Sequence, residues 1–269
     1  MPEPIIETME TIEIEHQGAV VWVWMNRPDV HNALNECMIE ELTGAFAAIG
    51  KDLNVRVIVL SGRGRSFSAG ADIESMKRQG AAPVASNLAN ARQLAEMFRT
   101  IANSSRPTIA RVNGAAMGGG FGLVAACDIA LAATTAVFAA SEVRLGLIPS
   151  TISPYVLRAI GPRFARRLFL TGERIDSAHA ERIGLVHEAV APEQLDAKLQ
   201  SIIEDLLAGA PLAQKAAKDL IDTISTQPIT QELIEETATR IANIRTGPEA
   251  REGLDAFLAK RPAAWAPRQ

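Results

Sequence analysis

The sequence predicts an α/β protein with a mainly parallel sheet and an all-helical C-terminal region. Short apolar runs that suit strands alternate with helical patterns up to residue 191, as in βαβ units. Two glycine-rich turns each follow a predicted strand, which is where open parallel sheets place their ligands. After about residue 192 only amphipathic helices are predicted, so we divide the chain into regions 1–191 and 192–269.

The elements of the first region follow from hydrophobic spacing. The segment TIEIEHQGAVVWVWMNRP predicts two strands around Gln17 and Gly18, and Pro28 ends the second strand. Helical apolar spacing covers 36–50 and 84–103, and VRVIVLSG at 55–62 predicts a buried strand between them. The segments PTIARVNG and DIALAAT predict further strands on either side of a run of three glycines.

The second region contains four amphipathic segments. They are PEQLDAKLQSIIEDLLAGA, PLAQKAAKDLIDTIST, ITQELIEETATRIANIR and GPEAREGLDAFLAKR. Each carries an apolar stripe that must be buried. The sequence leaves open whether these stripes pack against the first region or against another subunit.

Composition excludes several classes of function. The net charge is −4 and there is no long basic run, which argues against a nucleic acid partner. The first ten residues lack the pattern of a signal peptide, and the longest apolar run, 114–127, is shorter than the roughly 18 residues of a membrane span. Cys37 and Cys127 lack metal-ligand spacing and are expected to be reduced core thiols. We therefore expect a soluble, cytoplasmic protein without a metal site or a membrane partner.

The two glycine-rich turns are SGRGRSFSAGADI at 61–73 and NGAAMGGGFG at 113–122. Neither matches a P-loop or a dinucleotide-binding fingerprint. Glycine destabilises a helix by roughly 1 kcal/mol relative to alanine, so the run Gly118–Gly120 at the start of an apolar helix requires a reason. Exposed N–H groups at a helix start suit an oxyanion, whereas close packing of the helix against the sheet is the alternative. Residue types alone leave both interpretations open.

Several ordered motifs together resemble one family. FSAGADI, ARVNGAAMGGG, ACDIALAA and FAASEVRLGLIP are followed by LTGERIDSAHAERIGLVHEAV and REGLDAFLAKR, which extend the pattern almost to the C-terminus. This series closely resembles the crotonase superfamily, which includes enoyl-CoA hydratases and isomerases. The resemblance implies a crotonase-like spiral of ββα units with a C-terminal helical trimerisation region. It also implies an acyl-CoA thioester substrate, no cofactor beyond the coenzyme A of the substrate, and homotrimers that commonly pair into hexamers.

The resemblance also implies an oxyanion hole. The backbone N–H groups of Ala71, in the first turn, and of Gly119, in the triglycine, would bind the thioester oxygen, and the neighbouring Gly118 is an implied substrate-binding residue. That oxygen gains negative charge in the enolate, so two fixed donors bind the enolate better than the ground state.

Further residues are implied to bind coenzyme A. The first turn would contact the adenosine end through Ser68, Ala69, Asp72 and Ile73. The C-terminal helix of a neighbouring subunit would close over it through Phe257 and Lys260. Three arginines are phosphate partners by charge or else solvated surface residues: Arg27, Arg63 and Arg65.

The chain departs from the family at its catalytic carboxylates. Enoyl-CoA hydratases typically use two glutamates; the second aligns with Glu142, whereas the first aligns with Gly122, which has no side chain. Apolar neighbours such as Val143, Leu145 and Phe121 would raise the pKa of Glu142 and suit it to proton transfer.

The leading hypothesis is an enoyl-CoA hydratase that adds water across the 2,3 double bond. The segment SEVRLGLIPSTISPYVLRAIGPR is similar to methylglutaconyl-CoA and isohexenylglutaconyl-CoA hydratases. A glutaconyl substrate carries a second, distal carboxylate, for which Arg144 is a candidate cation; the alternative is that Arg144 belongs to a structural ion pair. The missing glutamate favours a single-glutamate enoyl-CoA isomerase as the alternative. A non-catalytic acyl-CoA-binding protein is the third hypothesis.

Overall fold

The computed structural model describes residues 5–266, and its chain divides into two compact units between Gln200 and Ser201. The first unit contains all strands of the described residues. They are β1 Ile5–Thr8, β2 Ile12–Gln17, β3 Val20–Met25, β4 Val57–Gly62, β5 Ser66–Ser68, β6 Thr108–Val112, β7 Ala115–Met117, β8 Ile129–Ala133, β9 Val137–Ala139, β10 Ile175–Asp176 and β11 Glu188–Val190.

These strands form two sheets. The larger sheet has the order β1-β2-β3-β4-β6-β8-β11 and the smaller one the order β10-β9-β7-β5. In the larger sheet β1, β2 and β3 pair antiparallel, and every pair from β3 to β11 is parallel. The predicted α/β fold with a mainly parallel sheet is therefore confirmed.

The chain alternates between the two sheets. The successive strand pairs β4 and β5, β6 and β7, and β8 and β9 each contribute one strand to the larger sheet and one to the smaller sheet. Because β5, β7 and β9 are parallel neighbours, their carboxyl ends lie at one edge of the smaller sheet. The two glycine-rich turns and the segment with Glu142 all leave the sheet at this edge.

The predicted helices lie close to their expected positions, and three helices at 73–81, 153–171 and 177–182 were not predicted. The Asn35 side chain caps the first helix by accepting the Met38 N–H at 2.9 Å, and Gly161, with φ +71°, interrupts the fifth. The helices are α1 Glu36–Ile49, α2 Ile73–Ala81, α3 Val84–Ala102, α4 Gly119–Ala126, α5 Ser153–Thr171, α6 Ser177–Arg182, α7 Leu195–Ala208, α8 Pro211–Ile224, α9 Gln231–Arg245 and α10 Pro248–Leu258.

The core of the first unit lies between the sheets and helices α1, α3, α4 and α5. Its largest buried side chains include Phe46, Phe67, Phe98, Phe121 and Phe138. Cys37 and Cys127 form no disulfide and are partly buried; Cys127 packs against the core, whereas Cys37 is not among the core residues. Over residues 5–266, no helix combines the length and hydropathy that crossing a membrane requires.

The second unit is helical, as predicted from the amphipathic segments. Within it, Arg261 forms an ion pair with Glu252 at 2.7 Å, and the Trp265 indole N–H donates to the Ala208 carbonyl at 3.1 Å. These contacts fix the segment that follows α10 against the unit's own helices.

Candidate functional site

The two glycine-rich turns contact each other at Gly70 and Gly118. Both residues have positive φ, +89° and +49°, which favours glycine. A β-carbon on Gly70 would lie 2.7 Å from the Met117 carbonyl oxygen and 3.6 Å from the Gly118 Cα atom, so no larger residue fits there. This close approach places Ala71 and Gly119, the next residues of each turn, on one cavity.

Ala71 and Gly119 present backbone N–H groups without protein acceptors among residues 5–266. Gly119 is the first residue of α4, where the N–H has no partner within the helix. The backbone around Ala71 is held by Leu34, whose N–H donates to the Gly70 carbonyl at 2.7 Å and whose carbonyl accepts the Asp72 N–H at 2.9 Å. Both donors are therefore fixed in place and available to a ligand.

Glu142 lies beside these donors. It begins a 3-10 helix, Glu142–Leu145, shortly after β9. The Gly118 N–H donates to the carbonyl of Ala139, the last residue of β9, at 2.8 Å, which holds the triglycine segment next to the chain that leads to Glu142. A β-carbon on Gly118 would lie 3.3 Å from Oε1 of Glu142, so the glycine makes room for the carboxylate.

The Glu142 carboxylate is poorly solvated. Its Oε2 atom is buried and has no hydrogen-bond partner in the described part of the chain. Burial raises the pKa of Glu142 above its ordinary value, and the residue's own backbone N–H offsets this effect only in part. A carboxylate in this state is suited to accept and return protons near neutral pH.

A cavity of about 450 Å³ connects these groups. Glu142 is the single ionisable side chain among the described residues that line it. Beyond Ala71 and Gly119, the lining comprises apolar residues including Leu34, Leu94, Leu147, Ile148 and Ile152 and neutral polar residues including Ser75, Gln79, Asn87 and Asn90.

The apolar surroundings of Glu142 differ from those expected. Val143, Leu145 and Phe121 do not line the cavity: the first two are exposed, and Phe121 is fully buried in the core. The prediction of these three neighbours was wrong because the 3-10 helix turns Val143 and Leu145 outward. Leu147, Ile148 and Ile152, further along the chain, supply the apolar lining instead.

Gly122 has no room for a side chain. A β-carbon there would lie 2.2 Å from Cγ2 of Ile152 and 3.0 Å from Cε1 of Phe98. A β-carbon on Gly120 would similarly lie 2.6 Å from the Ser68 carbonyl oxygen. Gly120 and Gly122 therefore serve close packing, which was one of the two sequence interpretations, while Gly119 lines the cavity and its binding of an oxyanion stays a prediction.

The residues expected to bind coenzyme A near the first turn lie outside the cavity. Arg27 and Asp72 form an ion pair at 3.0 Å, and Asp72 also caps α2. The Ser68 hydroxyl is buried and donates to the Asn32 carbonyl at 2.8 Å. Ala69 and Ile73 are exposed. Of these five residues, the last two offer free surface to a ligand.

Three further arginines are placed differently. Arg63 pairs with Glu13 at 2.7 Å and lies 4.0 Å over the Trp24 ring, so its charge is already compensated. Arg65 contacts the ring of His31. Arg144 lies against Thr171 and Gly172, outside the cavity lining.

Phe257 and Lys260 lie at the end of α10 and just after it. The Phe257 side chain is 80% exposed, and Lys260 has a positive φ of 51°. Both belong to the second compact unit. Their proposed contact with coenzyme A remains a prediction.

Some residues that shape the cavity carried no sequence signal. Ile152 lies at the start of α5 and lines the cavity. It reaches this position because Gly122 has no side chain, which lets α5 pack closely against α4. Ser75 and Asn90 come from α2 and α3 and form a polar wall. Sequence reasoning missed them because their positions are typical of ordinary amphipathic helices.

Comparison with known proteins agrees with this geometry. The model of the enoyl-CoA hydratase/isomerase family matches residues 15–268. A Rhizobium meliloti protein named "Probable enoyl-CoA hydratase" is 36% identical over 257 residues, covering 95% of this chain and 98% of that protein. A Syntrophomonas wolfei protein named "Crotonyl-CoA hydratase" is 34% identical over 260 residues, covering 94% of this chain and 97% of that protein. A solved enoyl-CoA hydratase structure from Shewanella pealeana has 38% identity and a TM-score of 0.93, covering 96% of this chain and 97% of that one.

Proposed function

The chain belongs to the enoyl-CoA hydratase/isomerase family, and from this membership we propose that it hydrates the 2,3 double bond of an acyl-CoA thioester. The observation that carries the proposal is one cavity that joins two unpaired backbone donors to a desolvated carboxylate. These are the two elements that addition of water to an enoyl thioester requires. Coenzyme A enters as part of the substrate, and the proposed reaction uses no further cofactor.

The N–H groups of Ala71 and Gly119 would bind the thioester oxygen. When water adds to the β-carbon, this oxygen takes up the negative charge of an enolate. Donors that are already fixed in position stabilise the enolate without reorganising, and each contributes on the order of 3 kcal/mol to lowering the barrier.

Glu142 would carry the proton transfers. In a syn addition its carboxylate takes a proton from the attacking water while the oxygen bonds to the β-carbon. The protonated carboxyl then delivers a proton to the α-carbon as the enolate collapses. One group can do both because its raised pKa brings the two protonation states closer in energy at neutral pH.

Isomerisation of a 3-enoyl thioester is the second candidate, and the packing at Gly122 favours it. Ile152 fills the place of a second carboxylate, so no second acidic side chain reaches the cavity from α4. Moving a double bond needs one base that carries a proton between carbons of a bound dienolate. Glu142 by itself is sufficient for that step.

The acyl group is the finer part of the proposal. A methylglutaconyl-type substrate, the finer candidate from the sequence, carries a distal carboxylate that calls for a cation. No basic side chain belongs to the described cavity lining, and Arg144 lies elsewhere. The described lining therefore favours an uncharged acyl group, with 3-methylglutaconyl-CoA as the competing candidate.

The test is to incubate the protein with crotonyl-CoA, a 3-enoyl-CoA and 3-methylglutaconyl-CoA and to identify the products. Formation of 3-hydroxyacyl-CoA from crotonyl-CoA supports the hydratase. Conversion of the 3-enoyl thioester alone to its 2-enoyl isomer would replace it with the second candidate. Binding without turnover of any thioester would leave the non-catalytic acyl-CoA-binding hypothesis.

The oxyanion hole is tested separately by a structure with a bound acyl-CoA. The proposal requires the thioester oxygen within hydrogen-bond distance of both the Ala71 and Gly119 nitrogens. A thioester oxygen more than about 3.5 Å from both atoms would contradict the assignment.

A further inference from the structure

One wall of the cavity is polar but uncharged. It is formed by Ser75 and Gln79 of α2 and by Asn87 and Asn90 of α3. Ser75 is only 2% exposed, so its hydroxyl belongs to the interior of the site. Apart from Glu142, Ser150 and Thr151, the side chains elsewhere in the lining are apolar, so a polar end of a bound acyl chain can contact this wall.

Glu36 and Arg78 form an ion pair behind this wall without lining the cavity. Glu36 accepts hydrogen bonds from the Ser75 hydroxyl at 2.7 Å, from Arg78 Nη2 at 2.8 Å and from Asn90 Nδ2 at 3.5 Å. Arg78 Nη2 also donates to the Ser75 hydroxyl at 2.9 Å. Among the wall residues, Arg78 therefore hydrogen-bonds to Ser75 only, and the Glu36 carboxylate, which binds the same hydroxyl, compensates the positive charge of Arg78.

Glu36 is ionised at neutral pH. Burial acts to raise the pKa of Glu36, but hydrogen bonds from Ser75, from its own backbone N–H and from Gln79, together with the charge of Arg78, bring it below its ordinary value. The pair behind the wall is therefore neutral in sum, and a carboxylate at the wall meets no net positive charge.

The wall also offers free acceptors. Asn87 Nδ2 donates to the carbonyls of Gln79 and Ala82, at 2.9 and 3.3 Å, and Asn90 Nδ2 donates to Glu36. The Oδ1 atoms of Asn87 and Asn90 accept no hydrogen bond from residues 5–266. A ligand group that donates hydrogen bonds satisfies these oxygens, whereas a carboxylate, which only accepts, is repelled by them.

We propose that the cavity selects thioesters whose acyl chain ends in an uncharged hydrogen-bond donor, such as a hydroxyl, and that Glu36 maintains this selectivity by neutralising Arg78. The inference rests on the proposed function, because it concerns the acyl group that enters the same cavity. Glu36 is a specificity-determining residue that acts through Ser75 and Arg78 and does not touch the reacting atoms.

The test compares three trans-2-enoyl-CoA thioesters of matched length that end in a hydroxyl, a methyl group or a carboxylate. For the wild type, kcat/KM is expected to be about tenfold higher with the hydroxyl than with the carboxylate, because the hydroxyl can donate a hydrogen bond to the asparagine oxygens of the wall and the carboxylate cannot. Glu36→Gln leaves Arg78 unpaired and should improve the carboxylate-ended substrate relative to the hydroxyl-ended one by about threefold, the scale of a partly exposed ion pair. The gain should appear in KM and shrink at high salt.

Two controls isolate the charge effect. Glu40→Gln makes the same change at an exposed position of α1 and should leave the ratio of the two substrates unchanged. Glu36→Gln combined with Arg78→Gln should remove the gain. Because both substrates are measured on the same preparation, a loss of folded protein cancels from the ratio.

Either of two results overturns the proposal. The first is a wild-type enzyme that turns over the carboxylate-ended thioester as well as the hydroxyl-ended one. The second is a Glu36→Gln ratio equal to that of wild type. If no thioester is turned over, the proposed function fails, but the selectivity can still be tested by binding. Calorimetry with the saturated analogues of the three thioesters should then show tighter binding of the hydroxyl-ended analogue than of the carboxylate-ended one, and equal affinities would overturn the selectivity.

Discussion

At the residue scale, the chemistry depends on how Glu142 is kept in an unfavourable environment. Its carboxylate is desolvated, and its Oε2 atom has no partner within the described residues. A fully paired carboxylate would be more stable but a weaker base, because hydrogen bonds to the charged form lower the pKa. The same feature that suits Glu142 to proton transfer therefore destabilises the folded protein when the residue is ionised.

Substitution of Glu142 tests its proposed role in proton transfer. Glu142→Gln keeps the shape of the side chain but removes the base, so kcat should fall by a factor of about 10² to 10⁴. The affinity for the acyl-CoA should remain close to that of wild type, since binding depends on other groups. Glu40→Gln provides the control for a lost negative charge, and undiminished turnover in Glu142→Gln would eliminate the proposed role.

The raised pKa also predicts opposite effects of pH on activity and stability. Activity requires the carboxylate, so kcat/KM should fall as the pH drops through a pKa above the ordinary glutamate value. The folded protein holds this proton more tightly than the unfolded chain, so Glu142 lowers the free energy of unfolding as the pH rises through the interval between the two pKa values. Glu142→Gln should therefore raise Tm at neutral pH relative to wild type and lose this advantage in acid. Equal Tm values for the two proteins at neutral pH would contradict the effect.

At the element scale, the contact between α4 and α5 determines which side chains can reach the cavity. Ile152, at the start of α5, occupies the space next to Gly122. A glutamate introduced at Gly122 does not fit unless Ile152 moves. Gly122 therefore has two consequences. Its lack of a side chain permits the close packing of α4 against α5, and it leaves the cavity without a second carboxylate at this position.

Alanine scanning of two helical glycines tests this packing. Gly122→Ala introduces a methyl group against Ile152 and should lower the free energy of unfolding by about 1 to 3 kcal/mol. Gly44→Ala, in α1, meets no atom within 4 Å and should instead raise it by about 1 kcal/mol. Urea denaturation measures both changes, and a neutral Gly122→Ala would show that the helices separate easily. The double variant with Ile152→Ala should be less destabilised than the sum of the two single variants.

At the scale of the whole molecule, much apolar surface remains exposed on the single chain. Exposed large side chains occur in both units, among them Leu157, Leu170, Leu212, Ile241, Phe257 and Leu258. Burying such groups between subunits removes apolar area from water, at roughly 25 cal/mol for each Å². The family resemblance of the C-terminal helices leads to the same expectation of an oligomer.

Sedimentation velocity tests the expected assembly. We predict homotrimers, commonly paired into hexamers, at micromolar concentration. Phe257→Ser and Leu258→Ser, both on exposed positions of α10, should weaken assembly if this helix contributes to the interface. A stable monomer across the micromolar range would contradict the prediction.

The sequence determined the order and type of many elements, because periodic apolar spacing and turn residues act locally, but α2, α5 and α6 were not predicted. The hairpin around Gln17 and Gly18, the strand before the first glycine-rich turn and the helices α1 and α3 lie within a few residues of their predicted bounds. The motifs also identified Ala71, Gly119 and Glu142, which the structure places around one cavity. These residues are detectable because each has a fixed position in a contiguous motif.

Only the tertiary structure decided what surrounds those residues. Val143 and Leu145 are the apolar residues nearest to Glu142 on its C-terminal side, yet Leu147, Ile148 and Ile152 line its cavity because a 3-10 helix redirects the chain. The obstruction at Gly122 depends on Ile152, which is distant along the chain and adjacent only through helix packing. The neutral wall likewise depends on Glu36 of α1 meeting Ser75 and Arg78 of α2. Such contacts join segments that are far apart in the chain, and no local pattern encodes them, because close packing selects partners by shape and distance in three dimensions.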